Sequence, residues 1–171
     1  MNAIVAEGIT LEPQTRAHAA EMFAVLSDPA IYEYENAPPA SLEWLRARFE
    51  KLETRRSADG GEQWLNWVLR VPSAELIGYV QATVRADASA AIAYELASAY
   101  WGRGLARQAV AAMMRELVER YGVVFFTAIA KRANLRSTRL LERLGFSAAS
   151  EELREKLRVE PDEVLMCRSA A

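Results

Sequence analysis

Tyr100-Trp101-Gly102-Arg103-Gly104-Leu105-Ala106 joins a strand-like run, residues 90–96, to a long amphipathic pattern that begins just past Gly104. In that pattern Val110, Met113, Met114, Leu117, Val118 and Tyr121 recur at the spacing of one helix face, and Gly122 ends it. Glycines at a strand-to-helix junction let backbone N–H groups approach an anion, and the helix N-terminus adds partial positive charge. The stretch therefore reads as a phosphate-binding turn, with a simple glycine turn around a core tryptophan as the plainer alternative. A P-loop would continue Gly-Lys-Ser/Thr, and Gly104-Leu105-Ala106 offers neither the lysine nor the hydroxyl. A dinucleotide fingerprint would need a glycine where Arg107 stands.

Outward from this turn the chain alternates between strand and helix signals. Residues 123–130 are short and mostly apolar, β-branched or aromatic, which predicts a buried strand parallel to its predecessor because a helix joins the two. Residues 135–144 predict a further helix closed by Gly145, with short strands near 146–150 and 163–168. Upstream, residues 64–71, 76–85 and 90–96 read as an antiparallel meander, and Ile9-Thr10-Leu11 as a short strand. Met22, Phe23, Val25 and Leu26 form a helical face stopped by Asp28-Pro29. Past Pro38-Pro39, Ser41 caps a helix carrying Leu42, Leu45, Phe49 and Leu52. The expected fold class is α/β: a mixed, mostly antiparallel sheet of about seven strands, flanked by about four helices.

Composition bounds the function classes. With 171 residues, 51% hydrophobic and 26% charged, the chain fits a single domain, 1–171, with one core. Net charge is −2, which argues against nucleic acid as a partner. Cys167 is the only cysteine and His18 the only histidine, so an internal disulfide and a zinc cluster of the usual kind are both excluded; no metal is expected. No uncharged run approaches the roughly 20 residues of a membrane span, and Glu7 interrupts any signal-like start, so a cytoplasmic protein without a membrane partner is expected. Cys167 reads as a buried apolar residue, Trp64, Trp67, Met113 and Met114 as core, and His18 as a surface or capping residue.

Gly104-Leu105-Ala106 resembles the end of the acyl-CoA loop of the GNAT superfamily of N-acyltransferases, and the resemblance extends over most of the chain. Trp101 departs from that loop's usual first residue. Tyr100 to Ala106 is instead similar to the branch containing ribosomal-protein alanine acetyltransferases (RimJ/RimL type), with Arg103 where lysine is usual. Asn134, Ser137, Leu140, Leu141, Glu142, Leu144, Gly145 and Phe146 resemble the superfamily's second signature at full spacing.

The resemblance implies a splayed sheet, acetyl-CoA as cosubstrate, and transfer to a primary amine by direct attack in a ternary complex. The amine is a protein N-terminal amine or a small amine such as an amino acid or polyamine. Implied cofactor contacts are Leu96, Ala97 and Ser98 at the splayed strand end, Trp101, Gly102, Arg103, Gly104, Leu105, Ala106 and Arg107 in the loop, and Asn134, Ser137 and Leu140 on the last helix. The superfamily's frequent tyrosine acid would fall at Leu141, which leaves Ser137 as the hydroxyl for the departing thiolate, or else a helix-surface serine. The backbone amide of Leu96 is the implied oxyanion donor.

Glu95 is the only carboxylate in the strand before the loop and is read either as base or acceptor contact, or as a structural surface charge. Tyr32, Tyr34 and Glu35 lie between the two N-terminal helices, where aromatic faces and carboxylates suit a cationic amine. Homodimers are common in the resembled branch. A catalytically inactive CoA-binding regulatory module is the rival reading. Residues 103–143 hold nine Lys/Arg against three acids, while the remaining chain is net acidic, as if the two substrates were met by opposite charge.

Overall fold

Turn chemistry begins the sheet. In the computed structural model, which describes residues 1–34 and 36–170, Gly8 takes a φ of 69° and folds β1 (Ile4–Ala6) back on β2 (Ile9–Pro13). Two helices, α1 (Ala19–Val25) and α2 (Leu42–Leu52), precede β3 (Glu62–Arg70), which continues as an antiparallel meander through β4 (Leu76–Arg85) and β5 (Ser89–Leu96). Then follow α3 (Leu105–Tyr121), β6 (Phe125–Lys131), α4 (Leu135–Arg143), β7 (Ser147–Ala148), α5 (Glu151–Lys156) and β8 (Glu163–Ser169). The sheet order is β1-β2-β3-β4-β5-β6-β8-β7, and β5–β6 alone among these neighbours is parallel.

Strand alternation sorts the two faces. Leu65, Trp67, Leu69, Val80, Ile92 and Leu96 turn to one side and pack with Ala109, Val110, Met113 and Leu117 of α3. Val68 and Leu76 turn to the other, where Met22, Leu26, Leu45 and Phe49 from the N-terminal helices cover them. Ser41 caps α2 by accepting the Trp44 N–H at 3.0 Å, as its position predicts.

Among the described residues the sheet has eight strands where about seven are expected, and five α-helices flank it where about four are. β1 is three residues long with Val5 exposed, and α5 buries none of its residues, so neither shows an apolar period. Residues 16–18 form a 3-10 turn ahead of α1, because Thr15 and His18 close a capping box: Thr15 donates its N–H to His18 Nδ1 at 3.0 Å. The parallel strand starts at Phe125 rather than 123, since Val123 donates to Leu117 O at 3.1 Å and belongs to the end of α3. Cys167 is half-buried rather than buried, as it faces the two-residue edge strand β7. Trp64 is likewise only half-buried, with Lys51 Nζ 5.8 Å from its ring.

Parallel pairing between β5 and β6 covers Ser89↔Phe125, Ala90↔Phe126 and Ala91↔Thr127, and then stops. β5 runs on to Leu96 and β6 to Lys131, so the strands part into a V, while β6 stays paired along its length with β8. On the other side of β5, Gly78 faces Leu96 at close range: a Cβ on Gly78 would overlap the Glu95 carbonyl oxygen and lie 2.8 Å from Leu96 Cα. We expect Gly78→Ala to push β5 off β4 at the open end of the V. Its cost in urea unfolding should be about 1–3 kcal/mol, the range for overpacking, and it should be accompanied by weaker binding of whatever occupies the V. An unfolding midpoint matching the unmodified protein would contradict this.

Candidate active site

The V exposes backbone. Ala97 donates its N–H to Ile77 O at 2.9 Å, and the register Tyr79↔Glu95, Gly78↔Leu96 then fixes the alternation. Odd-numbered residues of β5 hydrogen-bond to β4, whereas Tyr94 and Leu96 turn their peptide groups toward β6, beyond the point where that ladder ends. The amide of Leu96 therefore faces the gap. The amides of Ala97 and Ser98 do not serve it, because the first is taken by Ile77 O and the second by Asp28 Oδ2 at 2.7 Å. Of these three expected contacts, Leu96 lines the cleft and Ala97 and Ser98 do not.

Around the gap lies a cleft of about 920 Å³, within the usual range for ligand sites. Trp101, Gly102, Gly104, Leu105, Ala106 and Arg107 line one end. Gly102 and Gly104 have φ of 74° and 79°, a conformation open to glycine with little strain, and a Cβ on either would meet nothing within 4 Å. The loop thus presents bare backbone at the N-terminus of α3. Trp101 Nε1 donates to Leu96 O at 2.8 Å, and the Arg136 guanidinium stacks 3.4 Å from the centre of its ring. The tryptophan at this position ties loop, strand end and α4 together. Arg107, Arg136, Arg139 and Arg143 bring positive charge to the cleft; Arg103 does not line it and lies instead 5.1 Å from the Tyr100 ring centre.

On α4, Asn134 caps the helix by accepting the Ser137 N–H at 3.1 Å, and Leu140 lines the cleft beside it. Ser137 Oγ stands 2.9 Å from the Tyr94 hydroxyl. Burial pushes the Tyr94 phenol up to about 12, against the opposing pull of Ser137, so it stays protonated at neutral pH. Sequence reasoning passed over Tyr94. The available signal was strand alternation, which puts Tyr94 and Glu95 on opposite faces of β5.

Glu95 faces the N-terminal helices. It accepts from Asn36 Nδ2 at 3.2 Å and from the Tyr79 phenol, its register neighbour on β4. Burial, reinforced by the Glu95 charge, holds that phenol well above its ordinary value. Tyr32 and Tyr34 line the same end of the cleft; the Tyr32 hydroxyl donates to Leu26 O at 2.7 Å, and burial followed by the charges of Glu95 and Asp28 pushes it up to about 12. Glu35 lies outside the described residues. Asp28 joins this end to the glycine-loop end: its carboxylate takes Ser98 N–H and, at 3.0 Å, Ala30 N–H, and hydrogen bonding from Ser98, by its side chain first and its N–H next, then from Ala30, holds it below the usual carboxylate range. Among the described residues no group of three or more His, Cys, Asp or Glu is gathered to hold a metal ion, and no helix is long and apolar enough to cross a membrane.

A parted parallel strand pair, bare amides at a helix N-terminus and arginines around them make a cleft suited to a phosphate-bearing ligand laid against the sheet. Residues 9–147 match the acetyltransferase (GNAT) domain family, and the chain belongs to it: it is an acetyl-CoA-dependent N-acetyltransferase by family. Solved structures of the same fold include RimL, a ribosomal-protein alpha-N-acetyltransferase in complex with coenzyme A, at 16% identity and TM-score 0.82 over 98% of this chain and 97% of that one. RimJ from Mycobacterium smegmatis, with a CoA disulfide, aligns at 20% identity and TM-score 0.78 over 98% and 86%. An aminoglycoside acetyltransferase, AAC(6')-Ib, with coenzyme A aligns at 21% identity and TM-score 0.75 over 95% of each chain. RimL and RimJ represent the branch to which Tyr100 to Ala106 is similar.

The cap at Asn134 has a measurable weight of its own. Asn134→Ala should lower unfolding stability by about 1 kcal/mol, the ordinary cost of a lost N-cap, while Asn134→Asp retains it. If both variants unfold like the parent protein, the Ser137 N–H contact does not stabilise α4.

Proposed function

We propose that the protein transfers the acetyl group of acetyl-CoA to a primary amine, a protein N-terminal amine or a small amine, by direct attack within a ternary complex. The observation that carries this reading is the distribution of groups around the V. Glu95 lies on one face, the hydrogen-bonded Ser137 and Tyr94 hydroxyls on the other, and the Leu96 amide in the gap between them. The Gly102–Gly104 backbone and the cleft-lining arginines suit the phosphates of CoA. Asn134 and Leu140 flank its pantetheine arm.

In this mechanism Leu96 N–H donates to the thioester oxygen as negative charge develops there. Glu95 takes the proton that the amine loses, directly or through water, held in place by Asn36 and Tyr79. Ser137 Oγ supplies a proton to the departing sulfur and is refilled by Tyr94, whose raised pKa keeps a proton available. Tyr94 takes the part for which Leu141 has no hydroxyl. The acceptor enters from the side of Tyr32 and Tyr34.

Thiol release from acetyl-CoA, measured against peptides, amino acids, polyamines and aminoglycosides, tests the reaction. Heat stabilisation by acetyl-CoA without thiol release from any amine would instead mark a binding module. Ser137→Ala and Tyr94→Phe should each lower kcat by roughly 10²-fold, the scale of a lost general acid, and the double variant should be little worse than Ser137→Ala alone. Independent, multiplying losses would break the proposed relay. A carboxylate base works only when ionised, so its rate contribution falls as pH drops; Glu95→Gln should therefore lower kcat and flatten the acidic limb of the pH–rate profile. An unchanged profile removes Glu95 from that role.

A further inference from the structure

The acceptor end of the cleft carries a cation as well as a carboxylate. Arg48 projects from α2 into it, its guanidinium 5.6 Å from the ring centre of Trp44, which lines the same wall. The other long cations of α2 are occupied elsewhere, Arg46 with Glu43 at 3.9 Å and Lys51 over Trp64 at 5.8 Å. Among the described residues none forms an ion pair with Arg48. The Arg48 charge is near enough to be felt by the Tyr79 phenol, which it draws down against burial and Glu95.

The floor beneath Arg48 is polar where a sheet covered by helices is normally apolar. Asn66 and Gln81 are register partners on β3 and β4, both line the cleft, and Asn66 is only 6% exposed. Ala93, next in the same row on β5, contributes just a methyl and leaves room above the two amides. The neighbouring row holds Tyr79 and Glu95. The acceptor end is therefore amphoteric: a guanidinium and carboxamides at one part, a carboxylate at the other. An acceptor with several cationic groups would set those that Glu95 does not meet against Arg48, and an apolar one would give Arg48, Asn66 and Gln81 nothing to bind.

We infer that the acceptor carries an anionic group, a carboxylate or phosphate, on the same molecule as its amine, with Arg48 on α2 holding the anion while the amine faces Glu95. Asn66 and Gln81 complete the recognition by donating their amide N–H groups to the anion's oxygens. This rests on the acetyl-transfer reading above. It selects amphoteric acceptors, a free amino acid, an aminoalkyl phosphate or an amino-terminal peptide with an adjacent acidic side chain, over polyamines and aminoglycosides.

Matched pairs of acceptors test it on the full-length protein by thiol release from acetyl-CoA: amino acids against their methyl esters, an aminoalkyl phosphate against the amino alcohol, and peptides with an acidic against a neutral second residue. The anionic member should have the higher kcat/KM by about 10-fold or more, the scale of a charge-assisted contact. The pairs that show the preference identify the source of the anion. Arg48→Met should collapse that ratio mainly through KM. Arg48→Lys, which keeps the charge and loses the planar fork, should fall between the two. Esters, amino alcohols or polyamines that react as well as the anionic acceptors, or a ratio insensitive to both substitutions, would overturn the anion site and leave acetyl transfer standing. Absence of thiol release with every amine would overturn the transfer reading itself, and the anion site with it.

Discussion

Everything at the site depends on the end of one ladder. A parallel pair gains a hydrogen bond for each residue it zips, so leaving β5 and β6 apart past Ala91 and Thr127 forgoes pairing that the backbones would otherwise make. The parting persists because each strand is anchored on its far side: β5 by its antiparallel ladder to β4, which reaches Leu96, and β6 by an unbroken ladder to β8. Gly78 sharpens the anchor, since only a residue without a side chain lets β4 approach the Glu95–Leu96 peptide so closely. The gap is a product of the pairings around it.

Local signals made much of this fold readable. The meander, the long amphipathic α3 and the helix capped by Asn134 each carry their own period and punctuation, and β4 follows the expected bounds to the residue. β1 and α5 escaped because they bury little: α5 is held by the Ser150 cap, with acids in its first turn and cations in its last, rather than by a stripe. The glycine loop was legible for the same reason as the helices, because its chemistry is contiguous. The Tyr94–Ser137 contact joins residues 43 positions apart, and Arg48, Asn66 and Gln81 come to line one cleft only once α2 lies on the sheet. Such convergence leaves no mark in any one window of sequence.

The charge asymmetry seen along the chain is sorted further in space. Of the nine cations between residues 103 and 143, Arg107, Arg136, Arg139 and Arg143 reach the cleft. Arg120 pairs with Glu116 at 3.2 Å, and Lys131 lies between Asp162 and Glu163 at 3.2 and 3.0 Å. A local excess of positive charge is thus divided between ligand attraction and ordinary surface pairing. The acidic remainder of the chain does not make the cleft uniformly negative around Glu95, because Arg48 lines it as well.

Tyr94 and Glu95 are consecutive residues whose side chains leave β5 on opposite faces. With Glu95 collecting a proton on the α2 side and the Ser137–Tyr94 pair surrendering one on the α4 side, each turnover under the proposed mechanism leaves the sheet polarised: protonated on one face, deficient on the other. Under that mechanism the starting state returns only when Glu95 gives up its proton on one side of β5 and Tyr94 regains one on the other. Regeneration is then a step in its own right, and slow proton exchange on either side of β5 would delay the next cycle even after both products had left.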